Sequence, residues 1–145
     1  MPGDVILGYD DSSSARAALD VAIEQVKQFD ERLVILFAYA PPGRSVGDEY
    51  SEHRRVLEEI GEKATGKAAE IARAEGTEVE ILLVPERPSI ALDNAARERG
   101  ARLIVVGTHA ESPLRSAILG ATPHKLLQFS QTPVLCVPAR ERDPG

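Results

Sequence analysis

The chain has 145 residues, the length of a single domain. Its 17 Lys and Arg stand against 23 Asp and Glu, and the resulting charge of −6 argues against nucleic-acid binding, which needs a basic surface. Aromatic residues are only 4% of the chain and Trp is absent, so we expect an aliphatic core. One cysteine, no basic leader and no apolar run of about 20 residues predict a cytoplasmic protein without a membrane partner.

Short apolar runs along the chain predict strands that are covered on both faces. There are five of them, at residues 4–9, 33–39, 79–84, 103–106 and 132–137. Turn residues bound several of these runs, including Pro41-Pro42-Gly43 after the second. We expect the polar stretch that follows, residues 44–50, to be a loop.

Helical periodicity fills the intervals between the strands. Hydroxyls at Ser12, Ser13 and Ser14 are suited to cap a first helix. Its predicted buried stripe comprises Ala18, Leu19, Ala22, Ile23, Val26 and Phe29. For a second helix, residues 51–75, the predicted inward stripe comprises Val56, Ile60, Ala64, Ala68 and Ile71.

Two shorter helices complete the pattern. The third begins at Pro88, carries Ile90, Leu92 and Ala96 on its apolar side, and ends at Gly100. The fourth is predicted to take Thr122 as its N-cap and Pro123 as its first residue, and to run to Phe129.

Strand–helix alternation predicts an α/β fold, an open doubly wound sheet of five parallel strands with helices on both faces. Right-handed crossovers favour the strand order 3-2-1-4-5. We expect one domain over residues 1–145, with a core at 4–138 and a polar tail at 139–145. In such sheets a ligand binds at the carboxyl ends of the strands, here beside strands one and four.

One glycine motif is rejected as a phosphate-binding loop. The segment from Gly61 to Ala68 comes within one residue of the Walker A pattern. That loop needs a preceding strand and a final Ser or Thr hydroxyl, whereas here the final residue is Ala68 and a helical stripe runs through the segment. We interpret both of its glycines as helix residues.

A better candidate site follows strand four. Gly107 has no Cβ and would let a ligand approach the strand end. Gly120, Ala121 and Thr122 lead into a helix whose free N–H groups suit an anion. Across the crevice, Asp10 can accept hydrogen bonds from a ribose or an adenine amino group. The competing interpretation makes Asp10 a helix cap and the glycines ordinary turn residues.

From Asp4 to Val137 the chain resembles a universal stress protein domain. The resemblance rests on the order and spacing of four pieces: Asp10-Asp11-Ser12, Val105-Val106-Gly107-Thr108, Leu119-Gly120-Ala121, and Thr132-Pro133-Val134-Leu135-Cys136-Val137. It implies the five-stranded fold and a homodimer built through the last strand, from Thr132 to Val137. An edge strand with unpaired backbone groups is suited to such pairing.

The nucleotide-binding branch of that family binds ATP through G-x2-G-x9-G-(S/T). Laid on this chain, the pattern keeps Gly107 and Gly120 but meets Ala110 and Ala121 at its other two positions. The resemblance further implies adenosine contacts from Asp10, Ala38 and Tyr39. It places His109 in the phosphate loop, close to Arg115, and Thr122 could replace the missing hydroxyl.

Two functions therefore remain open at the sequence level. The first is a stress-response module that binds ATP or AMP, with Mg²⁺ beside ATP. The alternative, which Ala110 and Ala121 favour, is a dimeric interaction module without a nucleotide. An enzyme is not expected, although slow ATP hydrolysis stays open, because no paired acidic site or strong general base is visible. His53, His109 and His124 are too scattered for a metal site, and Cys136 lies in an apolar strand.

Overall fold

A computed structural model describes residues 3–39, 48–108 and 121–140. Strands and helices alternate in them, and all five strands are parallel, in the order β3-β2-β1-β4-β5. This confirms the predicted fold class and topology. The elements are β1 (Asp4–Gly8), α1 (Ser13–Phe29), β2 (Arg32–Ala38), α2 (Asp48–Ala74), β3 (Val79–Val84), α3 (Pro88–Arg99), β4 (Leu103–Gly107), α4 (Ala121–Phe129) and β5 (Val134–Val137).

The sheet divides the core into two aliphatic layers. Because side chains alternate along a strand, Val5 and Leu7 of β1 point to one face and Ile6 to the other. Helices α1 and α2 cover the first face, and α3 and α4 cover the second. None of the helices in the described ranges is long and apolar enough to cross a membrane.

Helix α1 begins as its sequence predicts. The Ser12 side chain caps it by accepting a hydrogen bond from the Ala15 N–H at 3.2 Å. Leu19, Ile23 and Val26 are buried as expected. Phe29 is not; it is 54% exposed at the last turn, where the Arg102 guanidinium lies 4.1 Å from the ring centroid.

Helix α2 differs from the prediction in its start and in its buried face. It begins at Asp48, so residues 48–50 of the expected loop are helical, whereas residues 40–47 lie outside the described ranges. Val56, Ile60 and Ile71, predicted to face inward, are 45%, 53% and 50% exposed. The buried face consists of small residues: Gly61, Ala64, Thr65, Ala68, Ala69 and Ala72.

The reason is a close approach between α2 and β2. A Cβ on Gly61 would lie 2.4 Å from Cδ1 of Phe37, a ring that is only 8% exposed. A helix seated this closely must turn its small residues toward the sheet and its larger ones outward. The rejected phosphate-loop motif thus lies within α2, and its first glycine has a packing role.

The remaining boundaries shift only slightly. In α3, Leu92 and Ala96 are buried as predicted, whereas Ile90 is 38% exposed. Strand β1 ends at Gly8, one residue earlier than predicted, β4 includes Gly107, and β5 begins two residues later than predicted.

Charged side chains collect at the amino ends of the strands. The buried Asp4 carboxylate at the start of β1 pairs with Arg32 at 3.1 Å and with Arg99 at 3.3 Å. Arg99 also pairs with Glu80 of β3, and Arg102 pairs with Glu31 at 2.8 Å. These ion pairs join three strands to the end of α3. They lie at the amino ends of the strands, whereas a ligand is expected at the carboxyl ends.

Two glycines of α2 offer a matched test of this packing. We expect Gly61→Ala to destabilise the protein, since overpacking costs about 1–3 kcal/mol and outweighs a gain of about 1 kcal/mol in helix propensity. A Cβ on Gly66 meets nothing within 4 Å, so Gly66→Ala is expected to stabilise it. Urea unfolding of both variants measures the difference, and equal shifts of the two midpoints would contradict the close approach at Gly61.

Candidate functional site

The candidate site lies where β1 and β4 end side by side. These strands pair in parallel, with Leu7 beside Val105, so the segments after Gly8 and Gly107 leave the sheet at neighbouring positions. The chain passes from β1 into α1 on one face, whereas α4, which follows β4 in the sequence, covers the other face. This is the switch point at which open α/β sheets form a crevice.

The turn from β1 into α1 is held by its own polar groups. Asp10 is exposed, and its Oδ1 accepts the Ser12 N–H at 3.0 Å. The described residues supply no partner for its second carboxylate oxygen, Oδ2. Asp11 takes a left-handed conformation (φ 63°) and accepts a hydrogen bond from the Tyr9 hydroxyl at 3.1 Å. The turn therefore presents a fixed carboxylate at the mouth of the crevice.

The buried Tyr9 anchors this turn to the sheet. Its N–H donates to the Leu36 carbonyl at 3.0 Å, and its ring belongs to the core beneath α1. Burial, and then the negative charge of Asp11, raise the pKa of Tyr9 well above its usual range. The hydroxyl therefore stays protonated and continues to donate to Asp11.

Gly107 is placed against the first turn of α1. A Cβ there would lie 2.3 Å from the Ser14 Oγ and 2.7 Å from the Ser14 backbone carbon. The missing side chain thus admits the helix, and α1 begins directly over the end of β4. The sequence analysis considered a ligand or a turn as the reason for Gly107 and missed its contact with Ser14; the signal was the run of small residues at the start of α1.

At the end of β2 the two expected adenosine contacts point to opposite faces. Ala38 is half-buried and packs with the second aliphatic layer. Tyr39 is 5% exposed, stacks on Phe37 with ring centroids 6.1 Å apart, and donates its hydroxyl to Glu58 of α2. The Tyr39 ring therefore packs beneath α2.

Glu58 ties this end of β2 to α2. Besides the Tyr39 hydroxyl, it accepts a hydrogen bond from Arg54, whose Nε lies 3.0 Å from Oε1. These two donors, Tyr39 first, lower the pKa of Glu58, while burial and the bond to Glu58 raise the pKa of Tyr39. The only sequence signal for this contact was the i, i+4 spacing of Arg54 and Glu58, which is typical of any exposed helix.

On the β4 side the described part of the site is smaller. Helix α4 starts at Ala121, so Thr122 is its second residue rather than its N-cap, and the expected capping role is wrong. Thr122 is half-buried. His109, Ala110, Arg115 and Gly120 lie outside the described residues, and their expected roles stay predictions.

The described residues also bear on metal and thiol chemistry. Across residues 3–39, 48–108 and 121–140, no three His, Cys, Asp or Glu side chains come together as a metal site. Cys136 is half-buried in β5, and burial raises the pKa of its thiol. A thiol of this kind is a poor nucleophile at neutral pH.

Comparison with known proteins places this fold and crevice in one family. The sequence model of the Universal stress protein family matches residues 1–138. The chain is 31% identical over 143 residues to the universal stress protein YxiE of Bacillus subtilis, covering 92% of this chain and 97% of that one.

Solved structures agree with the sequence comparison. A universal stress protein from Burkholderia pseudomallei superposes with a TM-score of 0.77 at 29% identity, covering 94% of this chain and 96% of that one. A universal stress protein solved in complex with cAMP gives 0.71 at 28% identity, covering 96% and 98%. The protein described here belongs to the universal stress protein family.

Proposed function

We propose that this protein is a cytoplasmic stress-response module that binds an adenine nucleotide between the ends of β1 and β4. The observation that carries the proposal is the exposed Asp10 carboxylate, held through one oxygen where β1 and β4 end side by side. The relative in complex with cAMP supports an adenine ligand for this fold.

In this proposal the nucleotide lies across the carboxyl ends of the strands. Oδ2 of Asp10 accepts hydrogen bonds from the ribose hydroxyls or the adenine amino group. Adenine rests near Ala38 on aliphatic groups. Backbone amides from Gly107 to Ala110, apart from that of Thr108, which donates to the Val137 carbonyl, and amides from Gly120 to Thr122 hold the phosphates, with His109 and Arg115 nearby.

Backbone donors explain how a chain of charge −6 can hold an anion. Amides at a helix start carry partial positive charge and need no basic side chain. Ala110 and Ala121 keep their N–H groups although they lack the glycine and hydroxyl of the ATP pattern. Mg²⁺ binds through phosphates, waters and one or two carboxylates, and Asp10 would supply the carboxylate when ATP is bound.

We propose binding rather than catalysis as the activity. Among the described residues near the crevice, the carboxylates of Asp10 and Asp11 are the available bases, and each already accepts a hydrogen bond within the turn. Turnover of ATP at a rate that depends on Asp10 would overturn this assignment.

Asp10 and Asp11 offer a matched pair of variants. We expect Asp10→Asn to weaken AMP or ATP binding about tenfold or more, since a hydrogen bond to a charged group contributes about 1.5–3 kcal/mol. Asp11→Asn, which also tolerates the left-handed conformation, should change affinity far less. Isothermal titration of nucleotide-stripped protein measures both.

The same titration separates the two functions that the sequence left open. Absence of saturable binding in the unaltered protein, with and without magnesium, would reject the nucleotide site and favour the interaction module. Equal losses in both variants would instead mean that the turn, and not the Asp10 carboxylate, had been disturbed.

Tyr39 provides a second test, of where adenine lies. Because its hydroxyl is engaged with Glu58, we expect Tyr39→Phe to alter nucleotide affinity by less than about twofold, well below the effect of a lost charged hydrogen bond. A large loss of affinity would show that Tyr39 leaves α2 and contacts the ligand directly. Tryptophan is absent from the chain, so titration heat is the suitable signal.

We further propose that the protein is a homodimer through β5, as the resemblance implies. The Ile104 N–H donates to the Pro133 carbonyl and the Thr108 N–H to the Val137 carbonyl, both bonds to β4. In a parallel ladder, alternate residues face one neighbour, so the backbone groups of Val134 and Cys136 point toward the open edge. A second copy would pair with those groups.

Amide hydrogen exchange tests the pairing of β5 with a second copy without the need for a mutation. In the dimer we expect slow exchange at Val134 and Cys136, and dilution below the dimer's dissociation constant should accelerate exchange at these two amides. Leu135 and Val137, which face β4, serve as internal controls and should stay protected. Fast exchange at Val134 and Cys136 at every concentration would contradict a dimer at this edge.

A further inference from the structure

We infer that the outward face of α2 is a second self-association surface, on which two copies pack antiparallel about a two-fold axis. The surface is defined by Val56, Ile60, Lys63, Lys67 and Ile71 and is called the α2 stripe below. It lies on the helix that covers β2 and β3, away from the β5 edge. The inference does not rest on nucleotide binding.

The α2 stripe is a continuous strip along one side of the helix. At 3.6 residues per turn, its five residues project within about 80° of one another and extend over about 22 Å. Val56, Ile60 and Ile71 are each about half exposed, although they are the β-branched residues that normally lie inside. Because Gly61, Ala64 and Ala68 occupy the inner face, the described structure leaves the stripe uncovered.

The spacing of the stripe is symmetric, as a two-fold interface requires. Val56 and Ile71 are equally far along the helix from the midpoint between Lys63 and Ala64, and so are Ile60 and Lys67. In an antiparallel pair centred there, Val56 meets Ile71 of the second copy, and Ile60 meets the aliphatic stem of Lys67. Every apolar residue of the stripe thereby gains an apolar contact, and the two-fold axis forms each of these contacts twice.

One charge pair beside the stripe favours a second copy, and it must outweigh the approach of the two Lys63 ammonium groups at the two-fold axis. Arg54 and Arg55 are already paired with Glu58 and Glu52 within the helix. In the described part of the chain, by contrast, the exposed Glu59, Lys63 and Lys67 form no ion pair. In the antiparallel arrangement, Glu59 lies opposite position 68 of the second copy and therefore next to its Lys67. The two-fold axis forms the same pair a second time.

Sedimentation velocity over a range of concentrations tests the interface. We expect Ile60→Lys to weaken self-association at least about tenfold, by setting a like charge against Lys67 of the other copy in place of an apolar contact. Glu62→Lys alters an exposed residue on another side of the same helix and should have little effect. Since Ile60 is 53% exposed, the variant is expected to fold, and its thermal unfolding checks this.

Charge reversal supplies a readout that a folding defect would not reproduce. Glu59→Lys and Lys67→Glu should each weaken association, and the double variant should recover it. Cross-linking in a Cys136→Ser background should join two copies through Lys63→Cys, near the two-fold axis, and not through Glu62→Cys. Association through β5 alone would leave both results negative.

Three results would overturn the inference. The first is identical sedimentation of the unaltered protein and Ile60→Lys at all concentrations. The second is a double charge variant that associates no better than the single ones. The third is efficient cross-linking through Glu62→Cys, which would place the contact elsewhere on α2.

Discussion

The candidate site depends on one steric constraint, the close contact between the end of β4 and the first turn of α1. Gly107 makes it possible, since any Cβ at that position would overlap Ser14. The contact sets the start of α1 over the switch point and holds the Tyr9–Ser12 turn at the mouth of the crevice. A larger residue at position 107 would displace α1 and, with it, the Asp10 carboxylate.

A similar constraint operates on α2, with a different consequence. Gly61 sits against Phe37, and alanines continue the contact along the helix, so that α2 lies close to β2 and β3. The branched apolar residues of α2 are thereby turned outward. One steric choice thus accounts both for the tight cover of the sheet and for the exposed α2 stripe.

Charged side chains are paired differently at the amino and carboxyl ends of the strands. At the amino ends of the strands, the carboxylates of Asp4 and Glu80 form ion pairs with Arg32 and Arg99. At the carboxyl ends, Asp10 keeps one carboxylate oxygen without a partner among the described residues. Under the proposed function, backbone amides rather than basic side chains would receive the phosphates of a nucleotide there.

The sequence by itself determined the fold class, the strand order and the family. Alternating apolar runs and capping residues such as Ser12 are local signals, and parallel strands joined by right-handed crossovers leave few other arrangements. Asp10 and Gly107 were predicted as site residues because each stands at the end of a predicted strand, and their roles toward a ligand stay predictions. Only the tertiary structure decided that Gly107 admits Ser14, that Tyr39 turns to Glu58, and that Val56, Ile60 and Ile71 face outward. Helical periodicity shows that residues share a side, but which side is buried depends on how closely the neighbouring element can approach.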